Sequence, residues 1–303
     1  MTQFDLHIHM ILDGVDFRKA IDTHRSHPCH SLIHARLEKY RTQGITFLRD
    51  GGDAWDVSLC ARALAKEYGI DYRTPVFPIY KRGHYGSFIG KGFESLDDYR
   101  RLLDILHEKN ADFVKLMISG LIDFSKANTL TETGLSPDEI CMLVDIAHNE
   151  GFAVMLHTNG DTAANAAMDA KAESIEHGAF FSRETLLRIA KTRTLWVPTL
   201  STIGNLIGCG RYPNEVLLPL LRKQQENVAY VTEHCGLIGL GSDAGAYCVF
   251  HGDAVSQERK YLSAVPDHVL LSAADYVQEA FTSAPHIPVP DNDWRITPKG
   301  ELL

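Results

Sequence analysis

Positive charge is scarce relative to negative charge in this chain of 303 residues. Lysine and arginine total 30 against 39 aspartate and glutamate residues, which gives a formal net charge of −9. Nucleic-acid backbones and anionic membrane surfaces attract proteins with an excess of lysine and arginine, so both are disfavoured as partners. We therefore expect the partner to be a small-molecule substrate.

Cysteine pairs and long apolar runs are also lacking. The six cysteines are widely scattered and include no Cys-x-x-Cys pair, which argues against a disulfide framework and against a thiolate zinc cluster. No stretch approaches the roughly 20 apolar residues needed to span a bilayer, and the first residues do not resemble a secretory signal. These absences predict a soluble, cytoplasmic protein with reduced thiols.

What the chain does contain is a regular alternation of strand-like and helix-like segments. The helix that begins after Ser136 has the strongest start signal, because a proline follows this serine and a glutamate stands three residues after it. The eight predicted strands are 4–9, 45–50, 74–80, 113–118, 152–157, 174–177, 194–200 and 237–242.

Strands that alternate with helices predict a parallel sheet with crossover helices. Eight such units in about 250 residues favour a (β/α)8 TIM barrel, which we place over residues 1–284. An open doubly wound sheet is the alternative. No Gly-x-Gly-x-x-Gly follows the first strand, so the usual dinucleotide-binding form of that sheet is not indicated.

Histidines stand at the ends of several predicted strands. His7 and His9 are separated by one residue on the first strand, so their side chains point to the same face and can reach one metal ion. His157 ends the fifth strand, His177 ends the sixth, and Asp243 follows the eighth. Catalytic groups in such barrels collect at the carboxyl ends of the strands. We therefore expect these residues to form a metal site.

Lys115 lies within the otherwise apolar fourth strand. Burying an ammonium group is costly, and one interpretation is that this side chain extends to solvent from the strand end. Beside four histidines, a second interpretation is favoured. A desolvated lysine is driven towards its neutral amine, which can take up carbon dioxide and become a carbamate, an oxygen donor able to bridge two cations.

These motifs resemble those of the amidohydrolase superfamily, specifically its binuclear members with a carboxylated lysine on the fourth strand. In detail the chain is similar to the branch that contains imidazolonepropionase-like and Xaa-Pro or Xaa-Arg dipeptidase-like proteins, where a Gly-His-rich loop follows the third strand. The matching segments span nearly the whole chain and are His7-Ile8-His9, Leu48-Arg49-Asp50-Gly51-Gly52, Gly83-His84-Tyr85-Gly86, Asp112-Phe113-Val114-Lys115, Leu156-His157, Ile175-Glu176-His177-Gly178 and Gly241-Ser242-Asp243.

The resemblance implies a site for two divalent metal ions. His7, His9 and Asp243 would hold the more buried ion, and His157 and His177 the more exposed one. Histidine and carboxylate ligands suit Zn²⁺ first, with Mn²⁺, Fe²⁺ and Co²⁺ open.

The resemblance also implies catalytic roles. Carboxylated Lys115 would bridge the two ions together with a hydroxide. Asp243 would accept the proton of that hydroxide and pass it to the leaving amine. Three residues of the loop after the third strand are candidates for binding substrate: Tyr85 or His84 would contact a carbonyl oxygen, and Arg82 would hold a carboxylate. The alternative for this loop is an exposed polar turn.

The function expected from these residues is metal-dependent hydrolysis of an amide or other C–N bond in a peptide-like, N-acyl or cyclic substrate, with a dipeptidase among the candidates. A lactonase or esterase would use the same site. A mononuclear deaminase of the superfamily needs a glutamate three residues after the fifth-strand histidine, where this chain has Gly160. A non-catalytic metal-binding barrel is the alternative from outside the enzymes.

One part of the family pattern is missing from the sequence. Most relatives carry a small β-sandwich built from both sides of the barrel, whereas here the first barrel strand begins at once. We expect the sandwich to be absent or reduced to a remnant in the tail 285–303. Without it, the oligomeric state stays open, with a homo-oligomer as one expectation.

Overall fold

The computed structural model describes residues 3–126, 128–192 and 194–282, which form an α/β fold. The β-strands are β1 Phe4–Ile8, β2 Phe47–Asp50, β3 Asp71–Arg73, β4 Ile79–Lys81, β5 Lys91–Phe93, β6 Val114–Met117, β7 Val154–Thr158, β8 Ser174–His177 and β9 Leu195–Val197. The α-helices are α1 Phe17–His24, α2 His30–Thr42, α3 Val57–Ala65, α4 Leu96–Glu108, α5 Pro137–Asn149, α6 Asp161–Asp169, α7 Arg183–Lys191, α8 Ser201–Gly204, α9 Asn214–Glu233, α10 Asp253–Tyr261 and α11 Asp267–Ala280.

The strands form two parallel sheets. The smaller has the order β1-β2-β3 and the larger the order β5-β4-β6-β7-β8-β9. In the larger sheet His157 pairs with Met117 of β6, and Thr158 pairs with His177 of β8. Because the strands are parallel, this register brings both histidines to the same edge of the sheet.

The segment 237–244 lies between the two sheets. The Trp196 amide of β9 donates to the carbonyl of Leu237 at 3.0 Å, and the Leu6 amide of β1 donates to the carbonyl of Leu240 at 2.9 Å. At the far end, the Asp243 amide donates to the His7 carbonyl at 2.7 Å. The predicted eighth strand is therefore not a regular strand: its segment lies between β9 and β1 but forms only isolated bridges, at Ile238 and Ala244.

The third predicted strand, 74–80, is divided in the structure. β3 ends at Arg73 and pairs with β2, whereas β4 begins at Ile79 and belongs to the other sheet. Pro75 and Pro78 stand between them, and a proline has no amide hydrogen to donate to a ladder. Val76 has a φ of 66°, outside the extended region, so no continuous strand forms here.

The other predicted elements agree with the structure to within a few residues. The Ser136 hydroxyl caps α5 as predicted, because it accepts from the Glu139 amide while the Glu139 side chain accepts from the Ser136 amide. Helices α1, α8 and α10 and the short strand β5 were not predicted. The predicted sandwich remnant in the tail 285–303 falls outside the described residues.

The core lies between the strands and the helices that cover them. All residues of β1, β2, β6, β7 and β9 are buried. Such strands read as almost continuous apolar runs, so the charged residues within them stand out. Within the described part of the chain, no helix has the length and apolar character required to cross a membrane.

Candidate metal centre

The carboxyl ends of β1 and β8 and the segment 237–244 converge on the Asp243 carboxylate. His7 Nε2 and His9 Nε2 lie 3.7 and 3.5 Å from Asp243 Oδ1, and His177 Nδ1 lies 3.8 Å from Asp243 Oδ2. His7, His177 and Asp243 each offer a ligand atom within 4.8 Å of the others. Imidazole nitrogens and carboxylate oxygens at such spacing suit Zn²⁺ or another divalent metal.

The two remaining predicted ligands, His157 and Lys115, lie on β7 and β6, the strands that follow β8 in the sheet. The ring of His157 lies 4.5 Å from that of His177 and 4.9 Å from that of Tyr85, centroid to centroid. His157 Nε2 contacts the carbonyl oxygen of Gly120 at 3.2 Å. Lys115 is 1% exposed.

Two buried nitrogens that face this group have no hydrogen-bond partner among the described residues: His7 Nε2 and Lys115 Nζ. His9 Nδ1 is a third such atom, on the side of its ring that lies close to Gly51. A buried polar group without a partner typically costs about 1–3 kcal/mol, and more when it is charged. Metal coordination would satisfy His7, and carboxylation would satisfy Lys115, so the residues present fit a metal centre.

Burial sets the protonation of these histidines. Desolvation, with the nearby positive charge of Lys115 as the second cause, lowers the pKa of His9 and of His157 to about 3. The pKa values of His7 and His177 are also lowered, again mainly by desolvation. The four imidazoles are therefore neutral at pH 7, which is the form that binds a metal ion.

Lys115 and Asp243 are shifted towards neutrality by the same burial. Desolvation lowers the pKa of Lys115 to about 8, although the charges of Glu176 and Asp243 oppose the shift. Desolvation raises the pKa of Asp243 to about 7, with Lys115 acting in the opposite direction. Part of the Lys115 population is consequently a free amine near neutral pH, as carboxylation by carbon dioxide requires.

Glu176 and Arg49 form a buried ion pair on the Nδ1 side of the His7 ring. His7 Nδ1 lies 2.6 Å from Glu176 Oε2, and Arg49 Nη2 donates to Glu176 Oε1 at 2.8 Å. Arg49 Nε also donates to the Leu6 carbonyl at 2.7 Å. The side chains of His7, Glu176 and Arg49 are fully buried. Such a carboxylate orients the histidine and leaves its other nitrogen for the metal.

Arg49 and Glu176 lie within the motifs that resemble the family, but no role was predicted for them. One sequence signal could have found them, since each is a charged residue within a short strand that is otherwise read as buried. Thr199 was also missed; its hydroxyl lies 2.8 Å from His177 Nδ1. No sequence pattern marked this threonine.

The backbone at this end of the sheet is unusual. His177, Thr199 and Asp243 have φ values of 70°, 49° and 59°, a region that residues other than glycine seldom adopt. Backbone strain of this kind clusters at functional sites, where the surrounding structure holds it. Gly51 also matters, because a Cβ atom at that position would lie 2.3 Å from His9 Cε1.

A cavity of about 630 Å³ opens above the group. All six of the predicted metal-ligating residues line it, and so does Tyr85. The structure does not bring Arg82 or His84 to this cavity. Arg82 is an exposed side chain whose Nη1 donates to Glu94 Oε1 at 3.0 Å, and His84 Nδ1 lies 3.5 Å from Glu132 Oε1. Arg82 thus belongs to an exposed polar turn, whereas His84 is half-buried outside the cavity lining.

Solved structures with the same fold cover most of the chain. A Xaa-Pro dipeptidase with bound methionine has a TM-score of 0.67 at 19% identity, over 92% of this chain and 72% of that one. The ochratoxinase of A. niger has a TM-score of 0.67 at 16% identity, over 91% and 68% of the two chains. A putative prolidase from Bifidobacterium longum has a TM-score of 0.66 at 18% identity, over 94% and 72%.

Sequence comparison is less informative. No family model matches the chain. Uncharacterised proteins of Mycobacterium tuberculosis and Mycobacterium bovis are 29% identical to it over 123 residues, which are 39% of this chain and 33% of each relative. The match thus spans about a third of the length of these curated relatives.

The chain therefore shares its α/β fold, with parallel sheets, with solved structures that include a Xaa-Pro dipeptidase and a putative prolidase. The resemblance drawn from the sequence motifs is confirmed at the level of the fold. The expected parallel arrangement of strands is likewise confirmed.

Proposed function

We propose that this protein is a metal-dependent hydrolase of an amide C–N bond, built on a (β/α)8 barrel that the segment 237–244 closes. One observation carries the proposal. Side chains from four strands and from the segment 237–244 meet at the floor of one cavity, where buried nitrogens of His7 and Lys115 have no partner among the described residues. The names of the structural neighbours, which include a Xaa-Pro dipeptidase, a prolidase and a bottromycin amidohydrolase, support the type of reaction.

The residues divide into two ligand sets. His7, His9 and Asp243 would hold one divalent ion, His157 and His177 a second, and Lys115 would serve both as its carbamate. Zn²⁺ suits these donors best. Bound in this way, the ions supply Lewis acidity and lower the pKa of a water molecule.

Lys115 would become a metal ligand through the addition of carbon dioxide to its side-chain amine. The lone pair of its neutral amine attacks carbon dioxide, the N–C bond forms, and the amine loses one proton to solvent. The product is a carbamate with a negative charge on oxygen. Burial of the lysine favours this step, because it lowers the pKa of the ammonium form to about 8.

Asp243 and Tyr85 are placed to act on the substrate. The Asp243 carboxylate lies at the centre of the histidines and would accept the proton of the attacking water, then deliver it to the leaving nitrogen. Tyr85 lines the cavity beside His157, and its hydroxyl would donate to the oxygen of the scissile carbonyl. Desolvation raises the pKa of Tyr85, so this hydroxyl keeps its proton.

Zinc-dependent turnover tests the proposal. Chelator-treated protein is assayed on Xaa-Pro dipeptides, N-acyl amino acids and lactones, with and without Zn²⁺ and bicarbonate. We expect amide hydrolysis that requires Zn²⁺ and that is lost in Lys115→Ala but retained in Lys66→Ala, which removes an exposed lysine. Hydrolysis of lactones alone would contradict the amide reaction, and full activity of Lys115→Ala without bicarbonate would contradict the carbamate.

A further inference from the structure

The walls of the cavity above the metal centre are apolar and aromatic. Phe17 and Phe88 pack at a centroid distance of 5.7 Å, and Phe124 and Tyr212 at 4.8 Å. Several of the large apolar side chains around the opening are exposed, with Val15 at 63% and Phe17 at 41%. Exposed apolar surface that is concentrated at one cavity is typical of a ligand-binding site.

Two arginines line the same cavity, Arg211 and Arg18. Neither forms an ion pair with an acidic residue among the described residues. Asp16 also lines the cavity, but its Oδ1 accepts from the backbone amides of Arg18 and Lys19, and its Oδ2 lies 3.6 Å from Lys19 Nζ. In a chain of net charge −9, arginines left without acidic partners at one cavity favour an anionic ligand.

Arg211 is better placed than Arg18 to bind an anionic ligand. Arg211 is exposed, and its Cζ lies 5.5 Å from the ring centroid of its own neighbour Tyr212 and 4.5 Å from that of Tyr247, which belongs to a different loop. Arg18 is also exposed, but the one ring near its Cζ among the described residues is that of its neighbour Phe17, at 4.7 Å. An arginine stacked on aromatic rings keeps its donor edge free for a carboxylate, which it can bind through two parallel hydrogen bonds.

We infer that the substrate is an N-acyl amino acid with a large apolar acyl group and a free carboxylate, and that Arg211 binds this carboxylate. The inference rests on the proposed amide hydrolysis, because it names the substrate of the same site. Arg211 belongs to the loop 205–213, for which the sequence alone indicated no role. The amide bond would lie over the metal centre, with the acyl group against the apolar walls of the cavity.

A pair of compounds that differ only in the carboxylate tests the inference. N-octanoyl-L-phenylalanine carries it, and N-octanoyl-2-phenylethylamine does not. For the zinc-loaded protein we expect the acid to have a KM at least tenfold lower than the amine derivative. Arg211→Gln should raise the KM for the acid by about 10- to 100-fold, the range of a charge-assisted bidentate contact, with little change in kcat. The same variant should leave the KM for the amine derivative within about twofold.

Arg222→Gln is the matched control, since it removes an exposed arginine of α9 outside the cavity lining and should leave both KM values unchanged. Arg18→Gln removes the other cavity arginine and should raise the KM for the acid less than Arg211→Gln does. N-acetyl-L-phenylalanine tests the apolar walls, and we expect its KM to be at least tenfold higher than that of the octanoyl compound. Equal KM values for the acid and the amine derivative would overturn the inference. An effect of Arg18→Gln in place of Arg211→Gln would overturn the assignment to Arg211.

Binding measured by calorimetry separates this inference from the proposed reaction. If neither compound is hydrolysed but the acid binds more tightly than the amine derivative and loses that advantage in Arg211→Gln, carboxylate recognition stands and the hydrolase proposal fails. If both compounds are hydrolysed and Arg211→Gln changes neither KM, the hydrolase proposal stands and the carboxylate inference fails.

Discussion

His7 Nδ1 lies 2.6 Å from Glu176 Oε2, although the two residues are 169 positions apart in the chain. Both side chains are fully buried, and Arg49 pairs with the other oxygen of the same carboxylate. This contact fixes the orientation of the His7 ring and directs its Nε2 to the proposed metal centre. Glu176 is therefore a positioning residue for a ligand, and its replacement can be tested through metal affinity.

Glu176→Gln should weaken zinc binding by about 10- to 100-fold, because partners of this kind orient the histidine and increase its basicity. The free energy of unfolding should also fall, by about 3–5 kcal/mol, since Arg49 would be left as a buried charge without its partner. Competition with a chromophoric chelator measures the affinity, and urea denaturation the stability. The control is Glu184→Gln, an exposed residue of α7. Unchanged zinc affinity in Glu176→Gln would disprove the positioning role.

Gly51→Ala should displace the His9 ring, because the new Cβ atom would lie 2.3 Å from His9 Cε1. We expect a loss of about 1–3 kcal/mol in the free energy of unfolding from overpacking, together with at least a tenfold weaker affinity for zinc. Gly44→Ala is the control, since Gly44 has a φ of +76° and a Cβ atom added there would meet no atom within 4 Å. Gly44→Ala should lower the free energy of unfolding only because alanine is strained in this left-handed conformation, and its zinc affinity should be unchanged. Equal zinc affinity of the two variants would contradict the proposed place of His9.

Lys115→Met should have opposite effects on the two states of the protein. The metal-free form should gain about 1–3 kcal/mol in stability, because methionine removes a buried nitrogen that has no hydrogen-bond partner among the described residues. Zinc affinity should fall at least tenfold, because the bridging ligand is lost. Urea denaturation with excess chelator and zinc titration measure the two effects, with Lys66→Met as the exposed control. A less stable metal-free variant would show that Lys115 already has a stabilising partner.

Glu258 predicts a pH dependence of stability. It is fully buried, and desolvation raises its pKa to about 8 despite hydrogen bonds from Leu200 and Ser201. An acid whose pKa is higher in the folded than in the unfolded state binds more protons when folded, so its contribution to stability falls as the pH rises from about 4.5 to about 8. Glu258→Gln should remove this part of the pH dependence, as measured by thermal denaturation from pH 5 to 8. An unchanged pH profile would show that Glu258 is already ionised in the folded protein.

Much of the fold could be predicted because its signals are local. The capping residues of α5 and the apolar runs of β6 and β7 depend on neighbours a few positions away, and the structure agrees with them. The third predicted strand was wrong as a single element. Pro75 and Pro78 interrupt its hydrogen bonds, although the valine, isoleucine and aromatic residues around them are typical of a strand.

The amino-acid sequence by itself determined which residues of the candidate metal centre stand at strand ends. Parallel strands place their carboxyl ends at one edge, so His7, His9, His157, His177 and Asp243 could be grouped from the order of the strands. Lys115 was added to this group because it is a charged residue within an apolar strand. Only the tertiary structure decided which side chains support this group. Arg49 reaches Glu176 across 127 residues, and Tyr247 contacts Arg211 from a different loop. Such contacts depend on how the sheets and loops pack together, and no local periodicity in the sequence encodes that packing.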